Sequence, residues 1–425
     1  MLDIRLLRED PEAIKLRVKS RGGDAWALVD EILECDEKRR SSETEKQSLQ
    51  SERNRLSKDI GQLRRAGENS DELEAQVREI GEQIKAIGES ADAADARQRE
   101  LLLQVPNVPH PDCPVGEDES ANPVIREWGE KPDFPDFEPK DHVALGQSLG
   151  LVDFERGAKV SGSGFVTLMG AGAKLQRALI QFLLELHTGE HEYLEVSPPF
   201  VINRESMYGT GQLPKFEDDM YGLEDGAFFL APTAEVPVTN LYRDELLAEA
   251  ELPLKVTAYT PCFRREAGSA GRESRGMIRM HQFDKVELVN IVAPSESEKQ
   301  LEVLTGEAEK VLQLLGLHYR TIELCTGDLG FSSGKTYDIE VWAPGHGGYL
   351  EVSSCSNFYD YQARRLKLRY KDENKKNRFC HTLNGSGTAL PRLVVALVES
   401  YQQADGSIKI PEVLVPFFGA ETISA

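Results

Sequence analysis

Between Trp26 and Gln104 the apolar residues recur at the spacing of a coiled coil, and proline is absent. The second half of this region carries seven of them in alternating steps of four and three, an a/d pattern: Leu73, Val77, Ile80, Ile84, Ile87, Ala91 and Ala94. Four apolar residues hold a similar register in the first half: Leu49, Leu56, Ile60 and Leu63. A turn at 66–70 separates the halves, with Ser70 as the expected helix cap. The pattern predicts two antiparallel helices of about 35–40 residues, an arm roughly 55–60 Å long.

Prolines mark the change that follows the arm. Eight of them fall between Val105 and Pro139, which indicates a linker and crossover and not a core element. Further on, amphipathic helices are predicted at 173–188, 295–315 and 390–401, and strands at 193–199, 228–230, 255–263, 280–292, 318–324, 336–341 and 349–354. Because helices do not regularly interleave these strands, an antiparallel sheet is favoured over a doubly wound parallel one.

The predicted fold class is therefore α+β, an N-terminal antiparallel helical arm followed by an antiparallel sheet flanked by helices. We expect three parts: an arm domain at 1–105, a proline-rich linker at 106–140 and the sheet domain at 141–425. No P-loop sequence is present, so any ATP would be held in another way.

Composition narrows the class of protein. The net charge of −22 argues against a generally basic coat for nucleic acid, although a local basic patch stays compatible with it. Six scattered cysteines without a C-x-x-C pair favour a reduced compartment and no structural zinc. No signal-like start and no apolar run of about 20 residues are present. We expect a cytoplasmic protein with no membrane partner and no DNA partner.

One basic cluster stands out against this acidity, near the predicted tip of the arm. Between Lys46 and Arg65 six basic residues face two acidic ones, which leaves a local charge of +4. The basic residues after Lys46 are Arg53, Arg55, Lys58, Arg64 and Arg65. They fit a probe that binds RNA phosphates. A solvated coiled-coil face or a dimerisation rod would carry similar charges.

A second basic stretch lies at 261–289, where two strand-like ends enclose a loop with glycines and arginines, Arg272 among them. Arg264 and Glu266 alternate with Arg265, so they should share one face of the incoming strand. A hairpin of this kind opens towards anions, because a fixed guanidinium binds phosphate oxygens as a fork. Phe283 on the return strand could stack on a base. An ordinary exposed hairpin would also explain the charges.

The stretch F-R-R-E-A-G-S-A-G-R, continued by R-G-M-I-R-M-H-Q-F-D-K-V-E, closely resembles motif 2 of the class II aminoacyl-tRNA synthetases, in the form found in the seryl branch. N-G-S-G-T-A-L-P-R, which ends at Arg392, resembles motif 3. A-P-T-A-E, which ends at Glu235, resembles the T-x-E loop of the seryl, threonyl and prolyl group. The helix at 173–188 and the strand that closes on Pro199 resemble motif 1, which lies at the dimer interface in that family.

The resemblance implies a homodimer that activates L-serine with ATP and Mg²⁺ and transfers it to serine tRNA, and to selenocysteine tRNA where one exists. It implies Arg264, Arg392 and Glu351 as catalytic residues. The implied serine-binding residues are Thr233, Ala234, Glu235, Glu287, Asn384 and Ser386. The implied ATP-binding residues are Arg264, Arg265, Glu266, Met280, Phe283, Glu351, Val352, Ser353, Ser354 and Arg392, with Glu351 and Ser354 as ligands of the metal ion.

Three further expectations accompany these roles. Glu351 and Ser353 should share a strand face, with Ser354 at the end of that strand. Arg265 replaces a residue that is commonly small and polar in the family, and alternation points it outward. The arm should contact the long variable arm of the tRNA through phosphates.

Two other functions stay open at this point. One is a related enzyme that loads a small amino acid on a carrier protein, which would have no use for the basic arm. The other is a coiled-coil interaction protein without activity, against which the intact set of arginines and carboxylates argues.

Overall fold

The computed structural model describes residues 1–267 and 275–424, and the chain divides into two compact units, Met1–Pro106 and Asn107–Ala425. The first unit is helical: α1 (Ile4–Glu9), α2 (Pro11–Lys19), α3 (Leu28–Ala66) and α4 (Asp71–Gln104). None of the helices in the described ranges is long and apolar enough to cross a membrane.

Helices α3 and α4 form the predicted antiparallel arm. The a/d positions Ile80, Ala91 and Ala94 are buried on α4, and Leu56 is buried on α3. Ion pairs join the helices at three levels, from Arg64 to Glu74 at 2.8 Å, from Arg39 to Asp95 at 3.8 Å and from Arg97 to Glu31 at 2.8 Å. The burial of one stripe on each long helix confirms the interpretation of the heptad pattern.

Ser70 is the N-cap residue of α4, as predicted, but its side chain accepts no hydrogen bond from the backbone of the first turn. Its hydroxyl donates instead to Glu74 Oε1 at 2.5 Å. Asn69 Oδ1 accepts from the backbone N–H of Asp71 at 2.7 Å, so the neighbouring asparagine takes over the capping interaction.

The second unit is built on an eight-stranded sheet with the order β1-β11-β12-β13-β16-β10-β9-β4. Its strands are β1 (Val124–Trp128), β4 (Leu194–Glu195), β9 (Leu254–Phe263), β10 (Gln282–Val292), β11 (Tyr319–Glu323), β12 (Lys335–Ala343), β13 (Gly348–Tyr359) and β16 (His381–Ala389). All neighbours pair antiparallel except β4 with β9. The predicted antiparallel sheet is confirmed.

Smaller pairings surround this sheet. The strands are β2 (Val152–Asp153), β3 (Thr167–Leu168), β5 (Val201–Asn203), β6 (Gly222–Leu223), β7 (Phe228–Leu230), β8 (Leu246–Ala248), β14 (Arg369–Lys371), β15 (Asn377–Phe379), β17 (Ile408–Lys409) and β18 (Thr422–Ile423). Two of these sets are three-stranded, β5-β7-β6 and β15-β14-β8.

Nine α-helices of the described ranges belong to this unit: α5 (His142–Ser148), α6 (Phe154–Ser161), α7 (Gly170–Gly189), α8 (Arg204–Thr210), α9 (Glu235–Asn240), α10 (Ser297–Leu314), α11 (Tyr361–Leu366), α12 (Leu390–Ser400) and α13 (Val415–Phe418). Apolar residues of α7, α10 and α12 form one core with the sheet, for example Leu179, Leu304 and Leu397 with Leu288 and Val352. Their helical spacing explains why each helix presents a single apolar stripe to the strands.

The proline-rich segment contributes more to the fold than a linker does. Its residues Val124–Trp128 form β1, an edge strand that pairs with β11. Asn107 Nδ2 donates to Ser332 O and to Phe358 O, both at 2.9 Å, and Cys113 is buried against Ile322 and Leu324. Proline is compatible with the edge of a sheet, where one row of N–H groups needs no partner. The many prolines led us to predict a linker for this segment, whereas the structure has a strand there.

Candidate active site

Two adjoining cavities lie over the central strands of the sheet. The first, of about 630 Å³, is lined by Thr233, Glu235, Ser354 and others, and the second, of about 280 Å³, by Phe283, Glu351, Arg392 and others. Arg264, Glu266 and Arg279 line both, so these residues stand at the junction of the two cavities.

Arg264 is fixed at this junction by its backbone and its side chain. Its N–H donates to His281 O at 2.9 Å, and its Nε donates to Pro232 O at 3.2 Å. The guanidinium carbon lies 5.2 Å from the centroid of the Phe283 ring. These contacts leave the guanidinium positioned for an anion.

The expected strand alternation around Arg264 is wrong, because β9 ends at Phe263. Glu266 follows with a left-handed backbone, φ 51°, and its carboxylate accepts from Arg279 Nη1 at 2.5 Å. The turn, and not a pleat, therefore brings Arg264 and Glu266 to the same cavities. Arg265 is exposed, and it is not among the described residues that line the two cavities. Arg272 lies outside the described residues.

Strand β10 supplies one row of side chains to the site. Phe283, Lys285 and Glu287 alternate along it, so they share a face. Lys285 Nζ forms an ion pair with Glu287 and lies 2.9 Å from Thr233 Oγ1, which in turn lies 3.1 Å from Glu287 Oε2. Ser386 stands opposite Glu287 on β16. The sequence analysis did not single out Lys285, although its place two residues before Glu287 predicts the shared face.

Glu235, which lines the first cavity, completes a buried charged group with Glu287 and with Lys285, which lines the second cavity. Its Oε1 accepts from Gln362 Nε2 at 2.6 Å. Burial raises the pKa of Glu235 to about 7, with a further contribution from Glu287, while hydrogen bonds from Gln362 and Asn384 oppose the rise. Two carboxylates, Glu235 and Glu287, thus face one buried ammonium, that of Lys285. When both carboxylates are ionised, the group carries one negative charge that Lys285 does not balance.

Two of the residues implied for serine binding are not among the described residues that line the two cavities. Ala234 is fully buried in a cluster with Val238 and Val256, so its side chain packs inward from the loop. Asn384 is buried as well, and its side chain lowers the pKa of the Glu235 carboxyl against the effect of burial.

Strand β13 differs from the expectation in two ways. It continues to Tyr359, so Ser354 lies inside the strand and not at its end. A bulge between Glu351 and Ser353 breaks the alternation, since Glu340 pairs with Glu351 and Ile339 with Ser353. Ser353 Oγ donates to Ser386 O at 2.6 Å, within the sheet. Glu351 and Ser354 share a face instead, on which they meet Asp338 of β12.

Asp338 is a residue that the sequence analysis missed. Burial, and then the charge of Glu351, raises the pKa of its carboxyl well above the usual range, and a hydrogen bond from Ser354 opposes the rise. Asp338 comes close to Ser354 because the two residues pair across β12 and β13, and the sequence of either strand alone does not show this pairing.

Arg392 lies in the first turn of α12 and reaches the second cavity. Its Nη1 donates to Glu351 O at 2.8 Å and lies 3.4 Å from Glu351 Oε2, and its Nε donates to Ile278 O at 3.0 Å. Met280 and Val352 line the same cavity. Phe283 and Arg392 thus line the same cavity, and an aromatic face and a guanidinium are both groups that a flat ring can stack on.

The basic residues predicted at the arm tip lie on the last turns of α3. Arg55, Lys58, Arg64 and Arg65 are exposed, and Arg53 is partly exposed. Arg64 pairs with Glu74, and Arg55 lies 3.9 Å from Glu52. Exposed pairs of this kind are weak, so these cations remain available to an anionic partner.

Comparisons with known proteins agree with the geometry. Residues 1–109 match the family of the seryl-tRNA synthetase N-terminal domain, and residues 216–401 match the tRNA synthetase class II core domain (G, H, P, S and T). A serine–tRNA ligase of Akkermansia muciniphila is 66% identical over 423 residues, which cover 100% of this chain and 99% of the relative. That of Geobacter sulfurreducens is 53% identical over 99% of both chains.

A solved structure shares the whole fold. The seryl-tRNA synthetase of Pyrococcus horikoshii, complexed with ATP, superimposes with a TM-score of 0.96 at 39% identity, over 100% of this chain and 99% of that one. The chain belongs to the seryl-tRNA synthetases, within the class II aminoacyl-tRNA synthetases.

Proposed function

We propose that the two cavities bind L-serine and ATP side by side, form seryl-adenylate and then transfer the seryl group to the 3′-terminal ribose of serine tRNA. The observation that carries this proposal is the buried group of Thr233, Lys285 and Glu287, which adjoins Arg264 at the junction of the two cavities. A polar pocket next to an anion-binding one is what joining an amino acid to a nucleotide requires.

Serine occupies the first cavity in this proposal. Its ammonium binds Glu235 and Thr233. This positive charge balances the negative charge that Lys285 leaves when Glu235 and Glu287 are both ionised. Its hydroxyl binds Glu287, with Ser386 opposite on the neighbouring strand. Alanine would leave these buried polar groups unpaired, which is a strong basis for discrimination.

ATP occupies the second cavity, with its adenine between Phe283 and Arg392 and its edge at Glu266. A serine carboxylate oxygen attacks the α-phosphorus, the bond to the bridging oxygen breaks, and pyrophosphate leaves. No proton needs to be abstracted, because the attacking group is already an anion. Arg264 and Lys285 hold positive charge where the two anions meet, so the catalytic contribution is alignment and charge neutralisation.

The residues present fit Mg²⁺ as the metal ion. Glu351 and Ser354 would hold it through oxygen atoms, the donors that Mg²⁺ prefers, and the shielded Oδ1 of Asp338 beside them lacks a hydrogen-bond partner within the described ranges. When bound, the ion neutralises charge on the ATP phosphates.

The remaining parts of the proposal concern assembly and partners. The first unit, Met1–Pro106, is the tRNA-binding domain and the second, Asn107–Ala425, the catalytic domain, and the basic side chains of α3 contact the long variable arm of serine tRNA. The chain works as a cytoplasmic homodimer through α7 and β4, where Leu194 is 60% exposed. It also charges selenocysteine tRNA where the organism has one.

ATP–pyrophosphate exchange with serine, threonine, alanine, glycine and proline tests the proposal. We expect exchange with serine, at a kcat/KM about 10⁴-fold above that of alanine, and charging of a tRNA fraction with a long variable arm. Exchange with glycine or alanine without charging would instead support a carrier-protein ligase. Absence of exchange with all five amino acids would support the alternative of a coiled-coil interaction protein without activity.

The ionisation of Glu235 predicts a pH dependence of serine binding. The pKa of Glu235 is about 7, so its carboxyl is protonated below that pH when serine is not bound. The ammonium of serine binds the ionised carboxylate. A proton must then leave on binding, so the Kd of serine rises as the pH falls below 7, by up to about tenfold per unit. Neither group of serine titrates between pH 5.5 and 8.

Calorimetric titration with serine across that range measures the effect. In Glu235→Gln the carboxyl is absent, so binding should be weaker at neutral pH and independent of pH. A wild-type Kd that stays constant from pH 5.5 to 8 would show that Glu235 does not receive the ammonium.

A further inference from the structure

A buried glutamine lies behind the carboxylate that is proposed to bind the ammonium of serine. Gln362 belongs to the start of α11 and is 1% exposed. Its Nε2 donates to Glu235 Oε1 at 2.6 Å and to Thr210 O at 3.1 Å, and its Oε1 accepts from Thr382 Oγ1 at 2.7 Å. Both ends of the side-chain amide are therefore hydrogen-bonded inside the protein.

The chemistry of these partners determines which way round the amide stands. A backbone carbonyl and an ionised carboxylate can only accept hydrogen bonds, so the nitrogen of Gln362 must face Thr210 O and Glu235. Rotation of the amide by half a turn would place its oxygen against these two acceptors. The hydroxyl of Thr382, which donates to the amide oxygen, opposes that rotation. Glu235 thus has a donor whose direction is fixed.

Gln362 also connects three separate elements around the first cavity. Glu235 begins α9, Thr210 ends α8, and Thr382 lies in β16. Glu235 and Thr210 line the first cavity, whereas Gln362 and Thr382 are not among the described residues that line either cavity. A substrate in the cavity would therefore feel the glutamine through Glu235. A buried carboxylate needs such a donor, because ionisation in a shielded site is costly without one.

We propose that Gln362 is a positioning residue for serine recognition, one that holds Glu235 Oε1 so that the carboxylate is oriented towards the ammonium of serine. Thr382 holds the amide of Gln362 in the orientation that this requires. The inference rests on the proposed function, which places the ammonium at Glu235. A hydrogen bond to a charged group is typically worth a factor of about tenfold or more in an equilibrium constant.

The test compares two sulfamoyl analogues of seryl-adenylate, one with the amino group and one without it, by calorimetric titration of the full-length protein. Gln362→Met removes the amide and keeps a similar volume. It should weaken binding of the amino compound by about tenfold, while the affinity for the compound without the amino group stays within about twofold of the wild type. An equal loss for both compounds, or no loss for either, would overturn the proposal, because a merely structural role does not distinguish the two compounds.

Gln402→Met is the matched control for this variant. Gln402 is 3% exposed, hydrogen-bonds backbone groups of Lys140 and Glu399, and is not among the described residues that line the two cavities. Both compounds should bind this variant as they bind the wild type. A loss confined to the amino compound in Gln402→Met would contradict the proposal, since the effect would then not depend on the glutamine behind Glu235.

Glu235→Gln separates a failure of this inference from a failure of the proposed function. If this variant binds both compounds with wild-type affinity, the ammonium does not lie at Glu235, and the serine subsite of the proposed function is wrong. If Glu235→Gln loses affinity for the amino compound alone and Gln362→Met does not, the role of Gln362 is wrong and the subsite stands.

Thr382→Val tests the orientation of the amide and decides the matter if Gln362→Met does not fold. It removes the hydroxyl that opposes rotation of the amide and keeps a similar side-chain shape. Binding of the amino compound should weaken selectively, by less than in Gln362→Met. In a Gln362→Met background Thr382→Val should cost that compound nothing more, because Thr382 acts through Gln362. Full additivity of the two changes, or an unchanged affinity in Thr382→Val, would contradict the proposal.

Discussion

Arg264→Ala should reduce serine-dependent ATP–pyrophosphate exchange by about 10³-fold and leave the fold intact. Its guanidinium stands where the two cavities meet and is held there by Pro232 O and the ring of Phe283. The serine carboxylate and the α-phosphate are both anions, so removal of this charge acts on the transition state more than on substrate binding. We therefore expect kcat to fall much more than the KM of ATP rises.

Arg265→Ala is the matched control for this variant. Arg265 is the next residue, carries the same charge and is exposed, and exchange should stay within about twofold of the wild type, as at most surface substitutions. Thermal unfolding of both variants reports the fold. Near-normal exchange in Arg264→Ala, or an equal loss in Arg265→Ala, would contradict the assignment of Arg264.

Deletion of residues 48–88 should spare adenylate formation and lower the kcat/KM of tRNA charging by at least about 100-fold. The pairs Arg64–Glu74 and Arg97–Glu31 show that residues 47 and 89 lie at about the same level of the arm. A short glycine-rich connection can therefore close the remaining helices without a change in their packing. Exchange with serine, measured on the same preparation, is the control for the catalytic site.

A variant that keeps the arm tests its charges separately. Gln in place of all five residues Arg53, Arg55, Lys58, Arg64 and Arg65 should weaken tRNA binding and flatten its salt dependence, by about one unit of slope for each lost phosphate contact. If the shortened protein charged tRNA at the wild-type rate, the arm would be a structural rod. If the five-fold variant bound tRNA with an unchanged salt slope, the contact would lie elsewhere.

The extent to which the sequence predicted this molecule differs between its parts. The arm was predicted from its period alone, because a buried stripe on a long helix leaves an a/d pattern that little else produces. Most strands of the sheet were predicted to within a few residues, but β13 extends past its apolar run and the central strand β16 was not among the predicted strands. The edge strand β1 was missed, because its side chains are largely exposed and prolines surround it.

The site was less accessible to prediction where it depends on irregular backbone. Glu266 reaches the cavities through a left-handed turn, and Glu351 faces Ser354 through a bulge, whereas simple alternation predicted neither arrangement. Asp338 was missed because its partner is in another strand, and the register of two strands cannot be read from either strand alone. Lys285 could have been found, since it alternates with Phe283 and Glu287.

The single face of β10 has a consequence for how such an enzyme can change its choice of amino acid. In the proposed function Phe283 and Glu287 serve the two subsites, and four residues of an antiparallel strand span about 14 Å. The strand lies in the middle of the sheet between β9 and β16, so that spacing is as rigid as the sheet itself. The distance between the nucleotide subsite and the amino-acid subsite along β10 is thus constant. New specificity would have to come from the walls around it, such as the loop at Thr233 and the start of α11 at Gln362, while the chemistry of adenylate formation is inherited unchanged.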